Sequence, residues 1–572
     1  MRKVRLLLCV LLCGVILGGC GTPTPAPIVP LPLPSPSSTV VVTPTLEVTP
    51  APPEPLWRSG WWDEAIFYEV FIRSFYDSTG DGIGDLQGLI AKLDYLNDGD
   101  PTTDTDLGVT ALWLMPVMES PSYHGYDAVD YYAIARDYGS NEDFQVLIEE
   151  AHQRGIRVII DLVINHTSSA HPWFINSSTG PNAEKRDWYV WSEAQPPGYT
   201  GSWGQQVWYE RSGSWYYAVF WSEMPDLNYE NPAVTEEMFH IARFWLEEMR
   251  ADGFRLDAVR YLIETDLDTR RPVMASSAPS MAWLRDFREY YAGLSPDAMT
   301  VGEVWADTGE VARYINSGAL DLAFEFNLAT AILESVMRGS PASLNSMLER
   351  VLVAYPNGGY ATFLTNHDQN RVMNQLLQNE ERARLAAVTY LTLPGVPFIY
   401  YGEEIGMVGA KPDELIRTPM QWTAEEYAGF SRTRPWQPVN EDYLEVNVAA
   451  QQADLDSLWH LYRRLIGIRH AHPALRTGDF TTLNSNDRPV YAYLRQTDAD
   501  RVLVVLNFAA QPRENVQLGL DVSGLPAGTH TLRDLLTGET WGTLEVDARG
   551  GLIIPWVAAV LEPRQTLILH LE

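Results

Sequence analysis

The chain has 572 residues, enough for several domains and a large core, and carries a formal net charge of −33. So acidic a balance excludes a nucleic-acid binder, which needs basic surface, and excludes electrostatic docking on anionic lipid. Neutral ligands remain, and the 19 Trp and 28 Tyr supply flat apolar faces for a core or for a ligand.

In chain order, Met1 to Arg5 is basic and Leu6 to Leu17 apolar, which predicts a secretory signal over 1–19, too short to span a bilayer. Leu17-Gly18-Gly19-Cys20 resembles a bacterial lipobox. That resemblance implies lipidation of Cys20, a mature chain beginning there, and an extracytoplasmic protein held to a membrane only by its N-terminal lipid. The other two cysteines, Cys9 and Cys13, leave with the signal, so no disulfide is expected. Residues 20–56 are rich in Pro, Thr and Ser and read as an extended disordered tether.

From there apolar strand patterns alternate with helical ones. The strands are Ala65–Phe75, Thr110–Val117, Arg157–Ile164, Phe254–Val259, Met299–Trp305, Leu320–Asn327, Ala361–Thr365 and Pro397–Tyr401. Eight such alternations predict a (β/α)₈ TIM barrel over 57–481, an α/β fold. The helix expected before the fourth strand, Val234–Arg250, carries Met238, Ile241, Trp245 and Met249 at helical spacing. The gap between the third and fourth strands is too long for a loop and predicts a small inserted domain over 166–229. Short strands separated by turn signals follow: Val490–Leu494, Val502–Leu506, Thr529–Leu532, Leu552–Trp556 and Thr566–Leu571. They predict a C-terminal antiparallel β-sandwich over 482–572.

Four barrel strands end in ionisable residues. Arg157–His166 (RVIIDLVINH) brings Asp161, Asn165 and His166; Gly253–Tyr261 (GFRLDAVRY) brings Arg255 and Asp257; Thr300–Trp305 (TVGEVW) brings Glu303; Ala361–Asp368 (ATFLTNHD) brings His367 and Asp368. Burying so many ionisable groups costs several kcal/mol each unless they are paired or functional. The C-terminal end of barrel strands is also where such folds keep catalytic groups. Arg255 and Asp257 are two apart, so they share a face, and the guanidinium can hold the carboxylate ionised as a nucleophile requires.

These four blocks, in this order, resemble the α-amylase family, glycoside hydrolase family 13, from about Trp61 to the C-terminus. The resemblance implies Asp257 as nucleophile, Glu303 as general acid/base and Asp368 as transition-state stabiliser. It implies Tyr126, from Tyr123-His124-Gly125-Tyr126, stacked under the sugar, with His166, Arg255 and His367 around it. Met224-Pro225-Asp226-Leu227-Asn228 resembles the subfamily intermediate between oligo-1,6-glucosidases and neopullulanases. Asp77, Thr79, Asp81, the Ile83 carbonyl and Asp85 alternate as oxygen donors in a Gly-rich loop. A similar loop binds calcium in relatives of the oligo-1,6-glucosidase type, so Ca²⁺ is expected here. Asn165 stands where many α-amylases have another calcium ligand, but no second site can be completed from the sequence.

The substrate so implied is a starch-like α-glucan or maltooligosaccharide, cut at α-1,4 bonds by double displacement. Exo-acting relatives place an Asp three residues before the stacking Tyr. Tyr123 stands there, leaving Arg417 without that partner, and this favours endo action. The alternatives are an exo-acting α-glucosidase or neopullulanase-like enzyme, a trehalose synthase, and a non-catalytic glucan-binding lipoprotein.

Overall fold

The computed structural model describes residues 58–572 except 198–199, 265–275, 523 and 553–555. The expected signal, Cys20 and the tether lie outside the described residues.

Eight parallel strands close a barrel: Phe67–Val70, Ala111–Leu114, Arg157–Leu162, Gly253–Leu256, Met299–Gly302, Leu322–Phe324, Tyr360–Thr362 and Val396–Tyr400. Each pairs with its neighbours in sequence, and the eighth closes on the first through Phe67↔Phe398. The barrel axis is packed with aromatic and branched side chains. Phe67, Trp113, Ile159, Val301, Phe324, Phe363 and Phe398 form one buried cluster, with Phe67 stacked on Phe398 at 4.2 Å. It is a packed core with its working groups confined to the rim.

All but the eighth strand are shorter than their apolar patterns suggest, and the shortening positions the site. The fourth stops at Leu256. Ala258 then takes a left-handed φ of 52°, which turns the chain and leaves Asp257 at the rim. At the other end Gly253 lets this strand close on the fifth: a Cβ there would lie 2.2 Å from the Met299 carbonyl oxygen. The helix before it spans Pro232–Arg243, started by the Asn231 side chain accepting from Ala233 N–H and by Pro232 in its first turn. It does not run on regularly to Arg250. Residues Phe244–Glu248 form a wider turn, which still buries Trp245 and Leu246 on the same apolar stripe.

The insert carries a small antiparallel sheet of Trp191–Ser192, Ser214–Tyr217 and Trp208–Arg211. Bridges His166↔Asp226 and Tyr189↔Leu227 bring its two ends together. After the barrel come a six-stranded and a three-stranded antiparallel sheet that share an apolar core. The six-stranded sheet begins with Asp479–Thr482. Strands Arg513–Gly519 and Thr540–Val546 join those expected. Of the expected strand Leu552–Trp556, residues 553–555 lie outside the described residues; Leu552 bridges Val546, and a strand runs Trp556–Leu561. Leu503, Val505, Leu567 and Leu569 face the core between the sheets, while Val502, Val504, Leu506 and Ile568 belong to the barrel's core. Period-2 alternation thus seats the domain on the barrel.

Candidate active site

The strand ends converge on one guanidinium. Arg255, fully buried, donates from Nη1 to both oxygens of Asp161 at 2.8 and 2.9 Å and to Asp257 Oδ1 at 2.8 Å, and from Nη2 to Glu303 Oε2. Adjacent register explains this, since Asp161 lies opposite Arg255 and Val301 on its other side. Asp257 and Glu303 therefore sit on the two terminal nitrogens of one planar fork. Sharing one guanidinium keeps the two carboxyl groups near each other; retaining enzymes use a pair about 5–5.5 Å apart and inverting ones a pair about 6.5–9.5 Å apart. The indole N–H of Trp305 donates to the other oxygen of Glu303 at 2.5 Å.

Burial pushes Asp257 up to about 6 against the pull of Arg255, with Asp161 and Asp368 adding to the rise. Burial likewise pushes Glu303 up to about 7; Arg255 opposes and the charges of Asp257 and Asp368 add. Asp368 goes the other way. Burial would raise it, but His367 at 3.3 Å, Arg417 at 2.9 Å and the more distant Arg255 hold it well below the usual carboxylate range. It is also the most open of the three, with 33% of its side chain exposed against 12% for Asp257 and 11% for Glu303. At neutral pH the rim thus holds one carboxyl poised to stay protonated and two that are ionised.

The remaining expected residues lie in the same wall. His367 Nδ1 meets Glu69 Oε1 at 2.6 Å and its Nε2 meets the Tyr126 hydroxyl at 2.7 Å. Although burial opposes its charge, Asp368 and Glu69 raise it to about 9, so it is an imidazolium and donates from both nitrogens. The Tyr126 hydroxyl passes the chain on to Asp161 at 3.0 Å, and its ring stacks with that of His367 at 5.5 Å. His166 is held by the Tyr126 carbonyl at 3.1 Å; burial lowers it to about 4 and keeps it neutral. Asp257, Glu303, Asp368, Tyr126 and His166 open into a cleft of about 470 Å³, also lined by Trp203, Phe220, Tyr261, Trp305 and Arg417.

A model of the "Alpha amylase, catalytic domain" family matches residues 69–478, and one of the "Maltogenic Amylase, C-terminal domain" matches 480–544. The chain belongs to the α-amylase family of glycoside hydrolases. It is 41% identical over 451 residues to Alpha-amylase 3 of Dictyoglomus thermophilum, covering 78% of this chain and 85% of that one. It is 33% identical to an oligo-1,6-glucosidase of Parageobacillus thermoglucosidasius, over 78% of this chain and 90% of the other. The crystal structure of the α-amylase from H. orenii superimposes with a TM-score of 0.77 at 41% identity, covering 89% of this chain and 99% of that chain.

Within this amylase fold, several site residues escaped the sequence reading. Glu69, in the first strand, fixes the charge of His367. Its only signal was an acid inside an apolar run. Asp161 stands at a strand end in the sequence, but its part as the main partner of Arg255 follows only from the register. Arg417 does have an acidic partner. Asp413, four residues before it, lies 3.3 Å away and lines the cleft, and Tyr123 packs beneath the same guanidinium at 5.9 Å.

The oxygen-rich loop is folded on itself. Asp77 accepts from Gly80 N–H, Gly82 N–H, Thr79 Oγ1 and Ser431 Oγ, and Asp85 from Ser78, Thr79 and Gly88. Asp81 accepts from Ile83 N–H at 2.9 Å. As arranged, Asp77, Asp81 and Asp85 do not bring three carboxylate oxygens within 4.8 Å of one another, while Thr79 Oγ1 lies 3.2 Å from Asp77 Oδ1. Asn165 has other company. Its Nδ2 donates to Asp226 Oδ2 at 3.2 Å, and its Oδ1 is buried without a partner. Glu264 stands near Asp226; burial, together with their mutual charge, raises Glu264 well above the usual range, and burial raises Asp226 too.

Proposed function

We propose that the protein is a retaining, endo-acting hydrolase of α-1,4-glucans. The observation that carries the chemistry is the pairing of Asp257 and Glu303 on Arg255, with one carboxyl pushed to about 6 and the other to about 7. In this reading Glu303 donates its proton to the leaving glycosidic oxygen as Asp257 attacks the anomeric carbon. The Asp257 ester is then hydrolysed by a water that Glu303 deprotonates. Asp368, held ionised by His367 and Arg417, faces the positive charge that develops on the ring. Tyr126 offers its ring to the sugar face, while His367, whose N–H groups go to Glu69 and the Tyr126 hydroxyl, and His166, whose N–H goes to the Tyr126 carbonyl, hold Tyr126 in place. Trp203 and Trp305, 59% and 46% exposed, continue the cleft as flat surfaces for further sugar units.

Endo action is supported by Tyr123, which packs under Arg417 at the position where exo-acting relatives carry a carboxylate, and by the 41% identity to two proteins named α-amylases. The Asp413–Arg417 pair favours the exo-acting α-glucosidase reading, because a carboxylate and a guanidinium side by side can grip the hydroxyls of a terminal sugar. Products from amylose decide. Maltose and short maltooligosaccharides appearing early, with a fast fall in iodine staining, fit endo cutting; glucose as sole early product replaces it with the exo reading.

A stabilising calcium ion belongs to the same proposal. The donor chemistry of Asp77, Thr79, Asp81, the Ile83 carbonyl and Asp85 supports it, although an ion there must displace the loop's own N–H and O–H groups. Asn165, Asp226 and Glu264 are a second candidate: they offer buried oxygens, although the Asn165 amide must turn its Oδ1 toward an ion and the two acids must ionise on binding it. Chelator should lower the melting temperature, and Asp81→Asn against Asp226→Asn would show which place is responsible. A lipid anchor at Cys20 is proposed from residues 1–20 alone. Cys20→Ala should move the enzyme from the membrane to the soluble fraction at unchanged activity.

A further inference from the structure

Away from the cleft, three side chains from distant segments meet where the C-terminal sheets join the barrel. His472 lies between helices Leu458–Ala471 and Pro473–Thr477, Asp500 just before strand Arg501–Asn507, and His570 in the last strand, Thr566–Leu571. His570 pairs with Val502, two residues on from Asp500, so Asp500 and His570 project from one face. That is the face whose Val502, Val504 and Ile568 pack with the barrel, and there they reach His472. One oxygen of Asp500 takes both imidazoles, His472 Nδ1 at 3.0 Å and His570 Nε2 at 3.3 Å. Its other oxygen accepts from Ala474 N–H at 3.0 Å, which fixes the carboxylate plane. The two rings lie 4.9 Å apart, and the three ligand atoms are all within 4.8 Å of one another.

We propose that His472, Asp500 and His570 form a zinc site that ties the barrel's last helices to the C-terminal sheet. Two imidazole nitrogens and one carboxylate oxygen are a donor set for zinc rather than for calcium, which takes oxygens only. With bonds of about 2.0–2.2 Å, a tetrahedral ion holds its ligands about 3.3–3.5 Å apart, close to the spacing of the imidazoles around Asp500. A carboxylate oxygen has room for two hydrogen bonds; what favours the cation is that two imidazole nitrogens and this oxygen converge within 4.8 Å of one another. The side chains of His472, Asp500 and His570 are 15%, 11% and 28% exposed, so an ion can enter and a water can complete its shell. Arg533, opposite His570 in the neighbouring strand, is 54% exposed and turns toward Glu572 at 3.9 Å. The ion would close the chain between His472 and His570 and act on the folded state alone.

The test uses the whole chain, stripped with chelator and returned to excess calcium so that its oxygen sites are filled. Zinc titrated calorimetrically is expected to bind once per chain and raise the melting temperature, and cobalt(II) to give the visible bands of a tetrahedral ion. His570→Gln keeps a hydrogen-bond donor for Asp500 but removes a ligand. It should weaken zinc by at least ~10-fold and lose the cobalt bands, with an unchanged melting temperature when no metal is added. Asp500→Asn, its fold checked by circular dichroism, should do the same. Absence of zinc binding by the wild type, or equal binding by wild type and both variants, overturns the site.

Discussion

Two groups of buried acids stand at the ends of the barrel strands and are handled in opposite ways. In the cleft each carboxylate meets a cation: Arg255 holds Asp161, Asp257 and Glu303, His367 holds Glu69 and Asp368, and Arg417 holds Asp368 and Asp413. Just after the eighth strand, Glu403 accepts hydroxyls from Tyr390 and Tyr462 at 3.0 and 2.8 Å, and Glu404 from Tyr68 and Tyr95 at 2.8 and 2.5 Å. Burial raises Glu403 to about 8 and also raises Glu404. Both groups are buried, so burial does not mark a site. Counter-charge together with an opening does. The cleft keeps its carboxyl groups beside cations and solvent, while Glu403 and Glu404 are packed against tyrosine hydroxyls and pushed up by burial.

The sharpest break in the comparison is catalytic. Asp257→Asn and Glu303→Gln should each cost at least ~10³-fold in rate with the fold intact, because each supplies a step its neighbours cannot. Glu404→Gln should leave the rate within about twofold, since it touches only tyrosines. An NMR time course should show the α anomer first; initial β anomer would mean that the close Asp257–Glu303 pair does not work by double displacement.

Next comes stability. Arg255→Met removes the one cation shared by Asp161, Asp257 and Glu303, leaving buried charges unpaired. It should destabilise the chain by roughly 3–5 kcal/mol in urea unfolding, whereas Glu404→Gln stays within about 1 kcal/mol. Equal, small losses in the two variants would show that the cleft acids do not need their counter-charge.

The pH profile refines the cleft side. Asp257 near 6 must be ionised and Glu303 near 7 protonated, so kcat/KM should form a narrow bell, falling below about 6 and above about 7. The two limbs belong to the coupled pair rather than to either residue alone. Asp413→Asn, at the cleft's edge, should change the product pattern more than the limbs. A rate flat from pH 5 to 9 would contradict the assignment.

How much of this was legible follows from the same contrast. Asp257, Glu303, His367 and Asp368 end apolar strands, where a charge stands out against the pattern, and the barrel order was legible for the same reason. Glu69 and Glu404 were equally acidic, but nothing local separates an acid that meets His367 from one that meets tyrosines. Asp413 became the partner of Arg417 only through the short helix Asp413–Ile416, which sets the two one turn apart. Strands Arg513–Gly519 and Thr540–Val546 carry polar residues on an exposed face, and their few inward apolar positions, such as Val516 and Leu544, gave too weak a period. The Asn165 cluster needed Glu264 brought beside Asp226, which no spacing announces.

The smallest effect on rate is the one that separates the two groups most cleanly by pH. Glu403 is neutral in the folded chain up to about 8, while in the unfolded chain it ionises near ~4.3. Between these values the unfolded state binds fewer protons than the native state, so this residue's contribution to stability is full below the lower value and declines as pH rises through the upper one. Glu403→Gln removes that slope. The variant keeps an acceptor for Tyr390 and Tyr462 but brings an extra buried N–H where Glu403 Oε2 has no partner, so at pH 5 it should be no more stable than the wild type. From pH 5 to 8 the difference should move steadily in the variant's favour, with catalytic rate unchanged throughout. A stability difference that stays flat over that range would mean that Glu403 is ionised in the fold, and would erase the distinction drawn between tyrosine-bound and cation-bound acids.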